Sequence, residues 1–215
     1  MEKVNTESAG ASQSRVSAIR RRLLRKCAPG SRLLEYVLAL TASLLVLIAY
    51  PQAQEAHPTE SQVEAAYLYN FGKFVRWPTD RSAALDSFAI CILGKDPFGA
   101  VLDATVAGES IDGKKITVSR LSSIQEAIRC SVLFVDPSEQ NRLGPILASA
   151  QRLSLLTVSD IPHFAERGGV IGLVAQQGKI RFEVNRGSAE DSHLILSSEL
   201  LKVAIKVIEK RTPGN

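Results

Sequence analysis

The sequence predicts an α/β domain: a mostly parallel central sheet, helices on both faces, and a C-terminal antiparallel hairpin at one edge. Two observations carry this. From Phe88 to Val158, apolar runs of strand length alternate with helical stretches, the pattern of strands returned by crossover helices. After that the rhythm changes, and two strand-like runs, Val170–Val174 and Lys179–Val184, flank the short connection Ala175–Gly178, as a hairpin does. Composition agrees, because 45% hydrophobic and 22% charged residues in a 215-residue chain exclude a disordered polymer.

Taken in order, Thr59 with Gln62 three residues on forms a capping box, which satisfies two free amides at a helix start. Val63, Ala66, Tyr67, Phe71 and Phe74 follow at helical spacing and read as a core face, with Pro78 as the stop. Phe88–Leu93 reads as a buried strand. Asp96 and Pro97 then start a helix from Phe98 to about Ala107, since an Asp cap and a proline at the first position favour a helix start. Lys115–Ser119 is a second strand, and a short helix runs from Ser122 or Ser123 to Arg129. Ser131–Val135 is a third strand, followed by a helix from Ser138 to about Gln151. Ser154–Val158 is the fourth, and Asp160 caps a helical segment that breaks at Gly168-Gly169. In the second hairpin arm Ile180, Phe182 and Val184 alternate with Lys179, Arg181 and Glu183, so one face is solvated. Ser197 or Ser198 caps a last helix whose stripe is Leu200, Leu201, Ala204, Val207 and Ile208.

Charge separates the N-terminal segment from this domain. The chain carries 26 basic and 22 acidic residues, a net of +4. Residues 1–53 hold eight of the bases and three of the acids, so the remainder has 18 bases against 19 acids. The basic character belongs to the leader, and a nucleic-acid partner is not expected. Within residues 1–53 the cluster Arg20–Lys26 precedes the apolar stretch Tyr36–Tyr50. A basic leader followed by a short apolar core is the layout of a signal peptide, with cleavage expected near Ala53 or Ala56. An uncleaved membrane anchor is the competing reading, although 15 apolar residues fall short of the roughly 20 that span a bilayer. Residues 54–58 are then a linker, 59–210 one domain and 211–215 a tail.

The inventory for catalysis is thin. His57, His163 and His193 show no metal-ligand spacing, and no nucleophile elbow, HExxH or phosphate-binding glycine loop occurs. Neither an enzyme activity nor a cofactor or metal is expected. Cys91 and Cys130 are the cysteines of the exported domain, either a disulfide in an oxidising compartment or two buried thiols. Lys95 and Asp96 lie at the carboxyl end of a strand, where open α/β sheets bind ligands. They are candidates for a small-ligand pocket, against the plainer reading of a capped loop. Of ten aromatics after residue 53, five fall between Tyr67 and Trp77. Beside them Asn70, Lys73, Arg76 and Trp77 have the composition of a binding surface. Arg181 and Asn185 on the last strand complete the partner- or ligand-binding candidates.

The runs EAAYLYNFGKFVRWP (Glu64–Pro78), FAICILGKDPFG (Phe88–Gly99) and CSVLFV (Cys130–Val135) occur in order. They continue with LTVSDIPHFAERGGVIGLV (Leu156–Val174), KIRFEVN (Lys179–Asn185) and HLILSSELLKVA (His193–Ala204). Together they resemble the YfiR-like family of periplasmic proteins across Glu60–Ile208. The resemblance implies a periplasmic repressor that binds the periplasmic region of an inner-membrane diguanylate cyclase, lowering cyclic-di-GMP and biofilm formation. It also implies an outer-membrane lipoprotein that can sequester the repressor, and pairing of Cys91 with Cys130; apart from the resemblance, the aromatic helix offers a surface for a homodimer. Some relatives have a second cysteine pair near residues 165–172, where this chain has Ala165 and Gly172. A small-ligand sensor acting on another membrane signalling protein is the alternative.

Overall fold

In the computed structural model the chain divides into two units, Met1–Ala56 and His57–Asn215. The structure describes residues 58–210, together with Tyr36, Val37 and Leu40, which are helical. The expected cleavage site, most of the linker and the tail lie outside the described residues. Among those described, no helix is long and apolar enough to cross a membrane.

Helix α1 spans Glu60–Lys73 and opens with the expected capping box. The Gln62 amide donates to Thr59 Oγ1 at 3.3 Å, and the Thr59 amide donates to Gln62 Oε1 at 2.8 Å. Ala65, Leu68 and Phe71 lie three residues apart and are all buried, so one stripe of α1 faces the sheet. The helix stops at Lys73, four residues short of Trp77, and the chain continues as strand β1, Val75–Arg76. Phe74 is therefore no longer on the helical stripe. The spacing assigns it to the core, whereas it caps the helix and is 40% exposed. Helix α2, Thr79–Ala84, leads into β2, Phe88–Leu93, whose six residues are all buried at the centre of the sheet.

The third helix, α3, spans Ala100–Val106 and starts two residues later than expected. Asp96 still serves the turn before it, accepting from the amides of Phe98 and Gly99 at 2.8 and 3.1 Å. A short strand β3, Ser110–Ile111, pairs antiparallel with the start of β4, Lys114–Leu121. Residues Ile124–Arg129 form a 3-10 helix before β5, Val132–Val135. A second 3-10 stretch, Pro137–Arg142, precedes α4, Leu143–Arg152, and then β6, Leu156–Ser159. The expected helix after Asp160 is a series of turns, and the Ile161 amide donates to Ser159 Oγ (3.0 Å) rather than to the Asp160 carboxylate.

The hairpin is formed by β7, Ile171–Gln176, and β8, Lys179–Asn185, in antiparallel register from Ile171 opposite Val184 to Gln176 opposite Lys179. Helix α5, Arg186–Asp191, and strand β9, Ile195–Leu196, follow; β9 pairs with β1. The last helix, α6, is capped by Ser197, whose hydroxyl accepts from the Leu200 amide, but it ends at Val203. Val207 and Ile208 do not extend its stripe. They belong to β10, Lys206–Ile208, which runs parallel to β8 and lies outside the hairpin. Side-chain spacing alone does not reveal this, because pairing with residues 23 positions earlier holds β10 in place.

The main sheet thus has eight strands in the order β10-β8-β7-β6-β5-β2-β4-β3. Neighbours are parallel except β7 with β8 and β3 with β4. Alternate residues point to opposite faces, as the pleat requires. Ile90, Ile92, Phe134 and Val158 pack under α1 and α3. Cys91, Leu93, Leu133 and Val135 pack under α4 and the 124–129 turn. The domain is α/β with helices on both faces of a mostly parallel sheet.

At Gly169 the backbone lies against the buried Phe164 ring, and a Cβ there would sit 2.0 Å from Phe164 Cε1. Phe164 is 1% exposed and has no room to retreat. Gly169→Ala is expected to destabilise the domain by about 3 kcal/mol, an overpacking effect. Urea unfolding measures it, and an unchanged midpoint would show that the ring moves freely.

Candidate functional site

The residues singled out from the sequence fall at two ends of the sheet and on its far flank. Lys95 and Asp96 follow β2 at the carboxyl ends of the parallel strands. Gly94 adopts φ +98° there, close to Ser138, and the Lys95 amide donates to Ser138 Oγ at 3.3 Å. The Asp96 carboxylate holds the Phe98 and Gly99 amides and a 2.9 Å bond from Arg120 Nε. Arg120 also pairs with Asp103 and donates to the Gly99 carbonyl, which pulls the Asp103 carboxyl below its usual range. The Asp96 carboxylate and the loop amides are therefore bonded within the protein, while the Lys95 side chain is exposed. Arg181 is exposed on β8. Asn185 accepts from the Ser188 amide at the start of α5 and donates to the Ala165 carbonyl at 2.7 Å, so both ends of its amide support the fold.

The carboxyl end is acidic in another respect. Glu64 on α1 is 6% exposed, and its pKa rises from the ordinary 4.5 to about 7. Burial is the main cause, followed by the negative charges of Asp160 and Glu60. Asp160 is pushed up as well, first by loss of hydration and then by Asp136 and Glu60.

The amino ends of the strands carry the opposite charge. Asn70 and Lys73 are exposed near the end of α1, with Lys73 Nζ 3.8 Å from the centre of the Tyr69 ring. Arg76 and Trp77 follow directly. Arg76 lies opposite Ile195 across the β1–β9 ribbon, so both side chains share its outer face. Ile195 is 66% exposed, and Phe74, just before the ribbon, is 40% exposed. The ribbon is extended by the Ser197 amide, which donates to the Phe74 carbonyl at 2.9 Å.

Trp77 stands edge-on to Phe88, with ring centres 5.2 Å apart. An open hollow of about 680 Å³ lies on one side of it, bordered by Asp80, Arg81, Arg152, His193 and Ile195. A smaller cavity lies on the other side, between α2 and the starts of β2, β4 and β5. Arg81, from α2, is a residue of this end that the sequence does not single out. Its Nη2 donates to the Cys130 carbonyl at 2.5 Å, and burial lowers its pKa. Only folding brings it beside Cys130, so no local spacing signals the contact.

Cys91 and Cys130 form a disulfide with Cα atoms 5.9 Å apart. Both are buried beneath the 124–129 turn, and the bond ties the central strand β2 to the entrance of β5. Among the described residues, no group of three His, Cys, Asp or Glu side chains is placed to hold a metal ion.

No curated protein matches the chain. A solved conserved domain protein from Vibrio cholerae O1 biovar El Tor is similar at 12% identity with TM-score 0.49. The ABC domain from Streptococcus pneumoniae, solved in complex with L-Trp, is similar at 13% identity with TM-score 0.46. Each comparison covers 69% of this chain but only 60% of the solved one. The sequence profile of the YfiR/HmsC-like family matches residues 61–205, which takes in the sheet from β1 to the end of α6 and the disulfide. The chain belongs to the YfiR/HmsC-like family, whose members are periplasmic regulators.

Proposed function

We propose that this protein is exported to the periplasm, where it represses an inner-membrane diguanylate cyclase by binding the cyclase's periplasmic sensor region, so that cyclic-di-GMP and biofilm formation fall. Family membership over residues 61–205 is the observation that carries the reading. The chemistry of the Trp77 end supports it. Ile195 is an exposed apolar side chain that borders one hollow with Trp77, Arg81 and Arg152, and it lies opposite Arg76 across the β1–β9 ribbon. Apolar anchors beside arginines are the composition of a protein-binding hot spot. The cation-rich end favours an acidic partner surface, because complementary charge steers encounter and excludes wrong partners.

Repression is a matter of differential affinity. The protein must bind the inactive sensor more tightly than the active one, and a near-complete shift takes about 5.5 kcal/mol of preference. An outer-membrane lipoprotein that covers the same face would release the cyclase by mass action. Deleting the gene is expected to raise cellular cyclic-di-GMP, with wild type restoring it. Arg76→Glu and Ile195→Asp, both at exposed positions, are expected to leave the protein folded and to restore repression poorly. Unchanged cyclic-di-GMP on deletion would refute the cyclase reading. Full repression by both variants would move the interface elsewhere. The second reading, a ligand-sensing domain acting on another signalling protein, is favoured by the cavity beneath Trp77.

A further inference from the structure

Helix α1 is held to the domain unequally along its length. Its second half carries Leu68 and Phe71, both fully buried, and Tyr67 and Phe71 stack on each other beside Phe182. The first half, Glu60–Ala66, buries only Glu64 and Ala65. Among the described residues, one side-chain hydrogen bond ties this half to another element, from Ser61 Oγ to the Pro97 carbonyl at 3.3 Å.

Glu64 is the unfavourable member of that pair, because a carboxylate taken out of water needs a cation or donors. It makes no ion pair among the described residues. The charges that act on it, Asp160 after β6 and Glu60 one turn earlier, are both negative, and neither a hydrogen bond nor a cation offsets them. The elements around α1 offer no remedy. Strands β2, β5 and β6 carry no charged residue. On β8, Phe182 packs on α1, so the alternating Lys179, Arg181 and Glu183 point to the other face. Asp103, the one charged residue of α3, is paired with Arg120. Asp136 accepts from the Ser138 amide, His163 pairs with Glu166, and Lys95 and Arg167 are exposed.

We propose that the first half of α1, Glu60–Ala66, is a pH-gated latch: with Glu64 protonated it is closed on the sheet, and with Glu64 ionised it unwinds while Tyr67–Lys73 stays docked. Unwinding returns the carboxylate to water and sacrifices little apolar burial, since Ala65 is the one fully buried apolar side chain of the segment. The segment is joined to the loop after β2 through Ser61, and Glu64 feels Asp160 in the turn after β6. Those loops flank the end of β5, so release of the latch alters the surface where open α/β sheets bind ligands. The closed form holds its full advantage below about pH 4.5 and loses it as the pH rises toward about 7. The inference does not depend on which protein the domain binds.

Unfolding of the whole domain also frees Glu64, so the test compares two segments. Hydrogen exchange of the full-length protein at pH 5 and pH 8, resolved by amide and corrected for intrinsic rates, makes the comparison. Protection of Val63–Ala66 is expected to fall about 50-fold between the two pH values. At pH 8 it is expected to lie at least about tenfold below that of Ile90–Leu93 in β2. Glu64→Gln is expected to reduce the fall to less than about fivefold. Asp160→Asn, at an exposed position, removes one of the two charges, provides a second folded variant and is expected to reduce the fall about twofold. Equal protection of the two segments at pH 8 would overturn the latch, since the domain would then open only as a whole. A wild-type fall of less than about fivefold, or a fall undiminished in Glu64→Gln, would overturn the role of Glu64.

Discussion

Replacing both cysteines, as Cys91→Ala with Cys130→Ala, is expected to cost about 4 kcal/mol of stability. The bridge spans a sequence separation of 39 residues, and closing a loop of that length removes about 4 kcal/mol of chain entropy from the unfolded state. For a domain of this size such a loss lowers the melting temperature by on the order of 10 °C. The effect extends past global stability. Cys130 presents its carbonyl to Arg81, which comes from α2, so the bond helps to fix the helix that walls the Trp77 cavity. If the protein acts as proposed above, the double variant restores the regulatory phenotype of a deletion strain poorly at matched protein levels. Thermal unfolding of wild type, of wild type unfolded under reducing conditions and of the double variant measures the first part. A melting temperature unchanged by both treatments would mean that packing around β2 and β5 suffices without the bond.

Glu64→Gln is expected to make the protein more stable above neutral pH, by about 3 kcal/mol at pH 8. The folded protein holds the Glu64 proton more tightly than the unfolded chain, since its pKa is about 7 against an ordinary 4.5. Wild-type stability at this site is therefore full below about pH 4.5, declines as pH rises toward 7, and is lost above it. A tenfold difference in proton affinity between the folded and unfolded chain is worth about 1.4 kcal/mol. Glutamine has nearly the shape of the protonated acid and no charge to bury. The variant should match wild type near pH 4.5 and separate from it as the pH rises. Urea unfolding at pH 5 and pH 8 provides the comparison. A wild-type stability that does not fall between those values, or a variant less stable at pH 8, would show that Glu64 is hydrated or paired with a cation. Because the Asp160 carboxyl is raised in the same direction, Asp160→Asn in the Glu64→Gln background separates the two contributions.

Much of this molecule is legible before folding. Elements set by neighbours in sequence form as expected: the capping box of Thr59 and Gln62, the buried strand Phe88–Leu93, the hairpin of β7 and β8, and Ser197 as a cap. Each depends on hydrogen bonds or side-chain alternation within a few residues, and local sequence encodes those directly. The family's motifs likewise lie in contiguous runs and are visible in one chain. The concentration of positive charge in residues 1–53 and the absence of a catalytic motif are compositional facts that need no structure.

What needed the tertiary structure is whatever depends on residues distant in sequence. Phe74 leaves the core because α1 stops at Lys73 and β1 pairs with β9, more than a hundred residues later. The last turn of the expected C-terminal helix becomes β10 because β8 offers a free edge. Arg81 becomes part of the site through the carbonyl of Cys130, 49 residues away. The Glu64 carboxyl is pushed up by burial and by the charge of Asp160, nearly a hundred residues away in sequence, only once α1 lies beside the turn that follows β6. Composition and local spacing specify which elements form and which faces they bury. Long-range pairing decides which polar groups are left without partners, and desolvation gives those groups their chemistry.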